Sequence, residues 1–358
     1  MTAITNNDIS ESLQQQVKEA IASSSPLFIH GGKSKAFYGN TVDAAPLDIS
    51  QHTGVVNYEP TELCITVRAG TKLIEIEKLL AKHQQVLPFE PPMYTNDATI
   101  GGAIATGISG PRRAYTGSVR DAILGVQIIN GDGDIVNFGG QVMKNVAGYD
   151  LSRLMVRSQG TLGVILNVSL RLLPRPANEL TLSFETSAEK ALNYFQELRT
   201  QQLPITATAW HNDRVYLRLS ASQATLDACQ EKLQIEKRTT DSLWEDIRDH
   251  KHSFFNNSDK PLWRLSLPLA SENLSTIDDQ QFIEWSGAQR WLSSNTPSNI
   301  IQSLVAKHGG HATLFKSKTP NLAVFSTLDS GLLKIHKQLK TKMDPQSIFN
   351  PNRIYQGL

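Results

Sequence analysis

The glycines of this chain are unevenly placed, and that placement limits the fold more than any other feature. Of 23 glycines in 358 residues, 18 lie between Gly31 and Gly163. None lies between Val164 and Ser286, and all five tryptophans (Trp210, Trp244, Trp263, Trp285, Trp291) fall beyond Gly163. Glycine tolerates positive φ and lets a main chain approach a neighbour or a ligand closely. The chain therefore reads as two parts in different styles. The first needs unusual backbone; the second is ordinary packed structure. Pro174-Arg175-Pro176 ends the first part, since proline stops both strand pairing and helix.

Hydrophobic periodicity fills in the elements. In the first part it predicts a helix over 9–22, capped by Asp8 or Ser10, and a strand over 26–29 that runs into a glycine turn. A strand over 63–67 and a helix from Thr71 follow, the helix carrying Leu73, Ile76, Leu79 and Leu80 on one side. Gly101 to Gly117 reads as a glycine-dense loop. Strands over 123–130 and 134–138 are joined at Gly131-Asp132-Gly133, a hairpin signal. A strand over 164–173 closes the part. In the second part, strands are predicted over 180–184, 263–267 and, as one strand, 284–292, with a hairpin around Trp210 to Leu219. Helices are predicted over 189–199, 225–233 and about 332–343. The fold class is α+β: a layered first domain over 1–175, with subdomains about 1–55 and 56–175, an α+β sandwich over 176–330, and a segment over 331–358 that returns toward the first domain.

Charge and cysteine exclude several functions. Lys+Arg is 35 against Asp+Glu 34, which lacks the basic excess of a nucleic-acid protein. The tryptophans accordingly read as core and partner-surface residues rather than as a base-stacking platform. Two cysteines, Cys64 and Cys229, supply neither a disulfide framework nor a cysteine metal cluster. The first ten residues are polar and no apolar run reaches a membrane span. The expectation is a cytoplasmic protein, attached to a membrane only peripherally, through partners.

Three glycine segments are the site candidates. The first is His30-Gly31-Gly32-Lys33-Ser34-Lys35. Backbone N–H groups in such a turn converge on phosphate oxygens, with Lys33, Lys35 and His30 adding charge. The turn is neither G-x-G-x-x-G nor a P-loop, which disfavours both of those nucleotide sites. The second runs from Asp97 through Gly101-Gly102-Ala103-Ile104-Ala105-Thr106-Gly107 and Gly110-Pro111-Arg112-Arg113 to Gly117-Ser118-Val119-Arg120-Asp121. Small side chains and free amides there suit a flat, extended, anionic ligand. The third is Phe138 to Asp150, with Gly148 as a positive-φ site and Asp150 as a helix cap, completed by Gly160-Thr161-Leu162-Gly163-Val164-Ile165. Elsewhere, His308 and His311 flank two glycines at a spacing that a metal could bridge, although loop or packing histidines are the plainer reading. Glu90, between prolines, is either a base or a structural carboxylate, the latter favoured. Asn350 and Arg353 either close over a ligand or simply pack a terminal segment.

The first turn and the segment Thr99-Ile100-Gly101-Gly102-Ala103-Ile104-Ala105-Thr106 resemble the vanillyl-alcohol-oxidase (PCMH-type) FAD-binding domain. Longer motifs narrow the resemblance: Pro88-Phe89-Glu90-Pro91-Pro92, Ser109-Gly110-Pro111-Arg112-Arg113, Val142-Met143-Lys144-Asn145-Val146-Ala147-Gly148-Tyr149-Asp150 and Phe349-Asn350-Pro351 are similar to those of the glycolate oxidase FAD-binding subunit of bacteria. It spans essentially the whole chain, though only diffusely in the second domain. It implies that His30, Gly31, Gly32, Lys33, Ser34 and Lys35 hold the pyrophosphate. It implies that Thr99, Ile100, Gly101, Gly102 and Gly107 lie along the flavin and its phosphates, with Pro92, Gly110, Arg112, Tyr115 and Gly117 also at the cofactor. Gly163, Val164 and Ile165 would meet the adenine and ribose end, and Asn350 would close from the C-terminus. The family's turn reads Arg-Gly-Gly-Gly-Ser-Lys, so Lys33 stands here in place of a third glycine. Relatives with covalent flavin carry His just after the glycines; Ser34 occupies that place, which implies non-covalent FAD.

The resemblance also implies a role in oxidising glycolate to glyoxylate, beside a sister FAD-containing subunit and an iron–sulfur subunit. The cluster cannot sit in this chain, because four cysteine ligands are lacking. Relatives that oxidise 2-hydroxy acids directly use histidines in segments resembling Gly-Asp-Gly-Asn-x-His and Glu-His-Gly-x-Gly, and neither occurs here. Substrate chemistry in the sister subunit is therefore favoured. The alternatives are a self-sufficient 2-hydroxy-acid dehydrogenase with His308, His311 or Arg353 at the substrate, and a non-catalytic assembly subunit. Acid precipitation of the purified protein should release its flavin to the supernatant; flavin remaining in the pellet overturns the non-covalent assignment.

Overall fold

A computed structural model describes residues 4–140, 151–235, 242–256, 259–274, 280–319 and 323–358. Gly148 and Asp150 lie outside the described residues. The chain divides into two compact units: Met1–Ser109 with Ser118–Arg175 and Thr327–Leu358, and Gly110–Gly117 with Pro176–Ser326.

The first unit opens with the helix Ser10–Ala22, which buries Leu13, Val17 and Ala20. The Asp8 carboxylate accepts the Ser10 N–H at 3.0 Å and so serves the helix start, while Ile9 occupies the cap position itself. Strand β1 (Leu27–His30) pairs in parallel with β2 (Ala45–Asp48). An antiparallel five-stranded sheet is built from β3 (Val55–Glu59), β4 (Cys64–Arg68), β6 (Ile123–Ile129), β7 (Ile135–Gly139) and β8 (Val164–Arg171), in the order β3-β4-β8-β6-β7. The short strands β5 (Gln85–Val86) and β9 (Leu173–Pro174) pair beside it. The β6–β7 turn is held by Asn130, whose Oδ1 accepts the N–H groups of Asp132 at 3.0 Å and Asp134 at 2.8 Å. The helix Leu73–Ala81 turns Leu73, Ile76 and Leu80 into the same core.

The glycine-dense loop expected over 101–117 begins instead as a helix, Ile100–Thr106. Two adjacent glycines disfavour helix locally, but Ile100, Ala103 and Ile104 are fully buried. The Thr99 side chain accepts the Gly102 N–H at its start, and Gly107 ends it at φ +61°. Tertiary burial and a cap outweigh the propensity.

The C-terminal helix Ser330–Met343 is capped by Asp329, which accepts from the Gly331 and Leu332 N–H groups at 2.9 Å each. Beyond it the chain returns to β1, where the Leu27 N–H donates to the Ile348 carbonyl at 2.7 Å and Phe349 pairs with Leu27. Lys340 and Asp344, 4% and 0% exposed, form a buried ion pair at 2.6 Å beneath that return.

The second unit is a seven-stranded antiparallel sheet of β10 (Asn178–Glu185), β11 (Ile205–His211), β12 (Arg214–Ala221), β13 (Leu262–Ser266), β14 (Gln280–Glu284), β15 (Gln289–Ser293) and β16 (His311–Lys316), in the order β10-β12-β11-β14-β15-β13-β16. The helices Ala188–Leu198 and Gln223–Leu233 pack Phe195 and Leu226 against Leu180, Leu182, Val215 and Leu217. The stretch 284–292, expected as one strand, is two. Trp285, Ser286 and Gly287 all take positive φ, at 53°, 55° and 96°, so the chain reverses between β14 and β15. The helix Ser298–Lys307 and strand β16 carried no expectation from the sequence.

The other side of this sheet carries an aromatic nest. The His250 ring stacks on Phe255 at 3.9 Å and stands edge-on to Trp291 at 4.7 Å. Desolvation there, reinforced by the charges of Lys316 and Arg264, pushes its pKa from 6.5 down to about 3. Burial also lowers those of His211 and His252. A depressed histidine pKa means that the unfolded chain takes up the proton first. The stability contribution is full above pH 6.5 and is lost as the pH falls from 6.5 toward about 3. Urea midpoints measured across that window should fall with pH, and His250→Phe should flatten the slope.

Candidate functional site

A solvent-open cleft lies in the first unit. Three stretches of chain form it. The end of β1 and the following turn contribute His30, Gly31, Gly32, Lys33, Ser34 and Lys35. The start of the 100–106 helix contributes Thr99, Gly101 and Gly102, and the approach to β8 contributes Gly163 and Ile165. Asn350 and Arg353 of the returning C-terminus complete the wall. All of these are residues that the sequence marks.

The first two stretches touch main chain to main chain. A Cβ placed on Gly32 would lie 1.6 Å from the Asp97 carbonyl oxygen, and one on Gly31 would lie 2.6 Å from Thr99 Oγ1. Only glycine allows this approach, which sets the N–H-bearing turn against the Thr99 cap. Asp97 is fixed in turn by Lys72, at 2.7 Å. Lys33, where the family pattern has glycine, takes the left-handed conformation at φ +54°. The turn therefore keeps the shape a third glycine would give, at the strain an L-residue pays there. Lys33 is exposed; Lys35 is buried and donates to the Pro92 carbonyl at 2.8 Å. His30 Nδ1 lies 3.0 Å from the Gly31 carbonyl and 3.6 Å from Asp48.

The C-terminal residues act as braces. Asn350 Oδ1 accepts the Ile29 N–H at 2.6 Å, while its Nδ2 donates to the Gln159 carbonyl at 2.7 Å. Arg353 donates to the carbonyls of Ala36, Tyr38 and Asn40 at 3.0, 2.6 and 2.5 Å. Burial lowers its pKa to about 10, still high enough to keep it charged at neutral pH. Three of its five N–H groups hold the loop after the glycine turn, which makes it a brace of the cleft wall.

The remaining candidates fall elsewhere. Ile100 and Val164 are fully buried in the core, Gly107 is the helix end, and Pro92 enters through its carbonyl to Lys35. Gly110, Arg112, Tyr115 and Gly117 belong to the second unit. There Arg112 pairs with Glu179 at 2.7 Å and the Tyr115 hydroxyl meets Ser286 Oγ at 2.8 Å. His308 ends the 298–307 helix with Nδ1 3.0 Å from the Leu304 carbonyl. His311 starts β16 and is exposed. Among the described residues no group of three metal-ligating side chains occurs. Glu90 sits at φ +44° in its proline-flanked turn.

Gln159 is the cleft residue that the sequence did not mark. It is 7% exposed, and its Oε1 is buried without a partner. That oxygen lies against Gly39, where a Cβ would come within 2.4 Å of it, behind the cleft wall rather than in the open cleft. The main-chain amides of the 31–34 turn and Lys33, which line the cleft, complement phosphate. The residues present thus fit FAD. Ile49, Ala69 and Ala105 add apolar wall; small residues among apolar ones gave no separate signal in the sequence.

Fold and cleft together fit a protein that binds a dinucleotide cofactor. The family described as FAD binding domain matches residues 8–139. Alkyldihydroxyacetonephosphate synthase has the same fold, at a TM-score of 0.67 and 14% identity, over 95% of this chain and 74% of that one. D-lactate dehydrogenase of Archaeoglobus fulgidus is 31% identical over 55% of this chain and 44% of its own length. Glycolate oxidase subunit GlcE of Escherichia coli is 43% identical over 98% of this chain and 99% of its own. The chain belongs to the GlcE family of glycolate oxidase subunits, and its first unit is an FAD-binding domain.

The contact at Gly32 yields a paired test. Gly32→Ala should lose bound FAD and about 3 kcal/mol of stability, because a backbone carbonyl cannot move aside. Lys33→Gly should still bind FAD through the turn's amides, more weakly for the lost ammonium, and stay within about 1 kcal/mol of the parent in stability, since relief of strain offsets the added chain entropy. The flavin-to-protein absorbance ratio and thermal melts measure both.

Proposed function

We propose that this chain is the FAD-binding subunit of a glycolate oxidase (glycolate dehydrogenase) complex, supporting oxidation of glycolate to glyoxylate. The observation that carries the reading is end-to-end similarity to a glycolate oxidase subunit in a chain whose glycine cleft fits FAD. Bound FAD supplies the two-electron acceptor for hydroxy-acid oxidation and a relay to a one-electron partner. The chain's own residues bind and orient it. The amides of the Gly31–Ser34 turn and the Lys33 ammonium meet the pyrophosphate. Ile49, Ala69 and Ile165 exclude water. Asn350 and Arg353 hold the turn in place through the main chain.

Substrate chemistry is assigned to a sister flavin subunit, and electrons pass to an iron–sulfur subunit. Two observations support that division. The histidine motifs of direct 2-hydroxy-acid dehydrogenases are absent from the sequence. Of the three candidates for the substrate in their place, Arg353 is committed to main-chain carbonyls, and His308 caps a helix. Glycolate oxidase subunit GlcD of Bacillus subtilis, 35% identical over 36% of this chain, shows that two subunits of that name share sequence. Among the described residues no helix is long and apolar enough to cross a membrane, so any membrane attachment is assigned to partners.

An absorbance spectrum of the isolated chain before and after glycolate tests the reading. The expected result is a flavin band that glycolate alone leaves unbleached. Rapid bleaching would make the chain a self-sufficient dehydrogenase. Absence of the band, with no uptake of added FAD, would leave a non-catalytic assembly subunit.

A further inference from the structure

One wall of the cleft is built from strained backbone. Arg157, Gln159 and Gly160 take positive φ, at 71°, 49° and 75°. Glycine adopts the left-handed region freely, whereas arginine and glutamine seldom do. Two such side chains within three residues make this backbone costly, and costly backbone persists only where its surroundings over-determine it. Gln159 and Gly160 line the cleft, as do Gly163 and Ile165 a few residues on.

Hydrogen bonds from two directions hold the stretch. The first direction is the 100–106 helix. The last carbonyls of a helix lack partners within it. Here the Arg157 N–H donates to the Ile104 carbonyl at 3.1 Å and the Gln159 N–H to the Ala105 carbonyl at 2.9 Å. The second direction is the returning C-terminus, where Asn350 Nδ2 donates to the Gln159 carbonyl at 2.7 Å. Asn350 is 2% exposed, and its amide is seated against Gly160, where a Cβ would come within 2.7 Å of Nδ2. Both Nδ2 protons have main-chain acceptors, the Gln159 carbonyl and, at 3.4 Å, the Ile29 carbonyl. Oδ1 accepts the Ile29 N–H at 2.6 Å and ties the other side of the amide to β1.

We propose that Asn350 is a positioning residue for the cofactor: its amide holds the strained 157–160 backbone in the conformation that receives FAD. The proposal rests on the reading of the cleft as an FAD site and adds what keeps one wall of it in place. Without the amide, a backbone that Arg157 and Gln159 disfavour relaxes and carries Gln159 and Gly160 out of the wall. The apparent dissociation constant then rises in proportion as the binding-competent fraction falls. Asn350 acts here through the main chain of its neighbours, so the strain it opposes is what its removal should reveal.

A double-mutant cycle tests this. The full-length chain is stripped of flavin and titrated with FAD by flavin fluorescence, as the parent, Asn350→Gly, Gln159→Gly and the double variant. Position 350 has φ +40°, which glycine accepts, so Asn350→Gly removes the amide without straining the returning segment. In the parent background it should weaken FAD binding at least about tenfold. With Gln159→Gly present, the same change should weaken binding no more than about threefold, because glycine at a left-handed position needs less holding. Equal factors in the two backgrounds would overturn the proposal, since a plain brace or a direct contact with FAD loses the same in both. Parent-level affinity in Asn350→Gly would overturn it as well. Should Asn350→Gly give no cooperative melt, Asn350→Asp replaces it in the cycle. That change keeps the acceptor for Ile29 and loses the donor to Gln159, and the same two factors decide. A parent chain that takes up no FAD would instead sink the cofactor reading, and this proposal with it.

Discussion

The first unit depends on a buried ammonium. Lys340 Nζ donates to the Thr161 carbonyl at 2.8 Å, the Phe349 carbonyl at 2.8 Å and Asp344 Oδ2 at 2.6 Å. Asp344 then accepts the N–H groups of Ile348 and Phe349 at 3.1 and 2.8 Å. Each of the three ammonium protons has an acceptor, which is what makes a buried charge tolerable. The value of the pair lies less in Coulomb attraction than in geometry. It places Phe349 beside Leu27, and so Asn350 between Ile29 and Gln159. The cleft is thereby assembled from three stretches far apart in sequence, and the last of them arrives only after the whole second unit.

How much of this was legible depended on whether the stabilising contacts were local. The helix over Ser10–Ala22 and the β6–β7 hairpin were legible because apolar spacing and an Asn-Gly-Asp-Gly turn encode them within a few residues. The 100–106 helix was not. Its Gly-Gly pair argues against helix, and the burial of Ile100 and Ile104 that overrides it is a property of the tertiary fold. The break between β14 and β15 was hidden for a different reason. Its turn places Trp285 and Ser286, neither of them glycine, in the left-handed region, and Trp285 is buried between the guanidinium groups of Arg113 and Arg264, at 4.5 and 5.4 Å. Packing holds that backbone, and no composition signal precedes it.

The candidate site divides the same way. The glycine turn, Thr99 and Gly163 were legible because close approach demands particular residue types. Asn350 was marked by resemblance, but its work as a two-sided amide brace is visible only in three dimensions. Gln159 was invisible, since a glutamine at a strand approach has no pattern; burial of an unpaired oxygen is what singles it out. Arg353 shows the reverse case. Its charge invited a catalytic reading, and three of its five N–H donors are used to hold main-chain carbonyls.

A cleft made of main chain tolerates change in a way that a catalytic histidine pair does not. Its demands are for glycine at Gly31 and Gly32, for a cap at Thr99 and for backbone amides that any residue supplies; even Lys33 meets the turn's geometry at modest strain. Substrate chemistry instead requires particular side chains at particular atoms, and a single replacement removes it. That asymmetry accounts for the composition of this chain, with its glycines gathered in the unit that holds FAD. In the second unit, the sheet faces are stabilised by leucines, tryptophans and neutral histidines, groups that pack well and do not require a substrate.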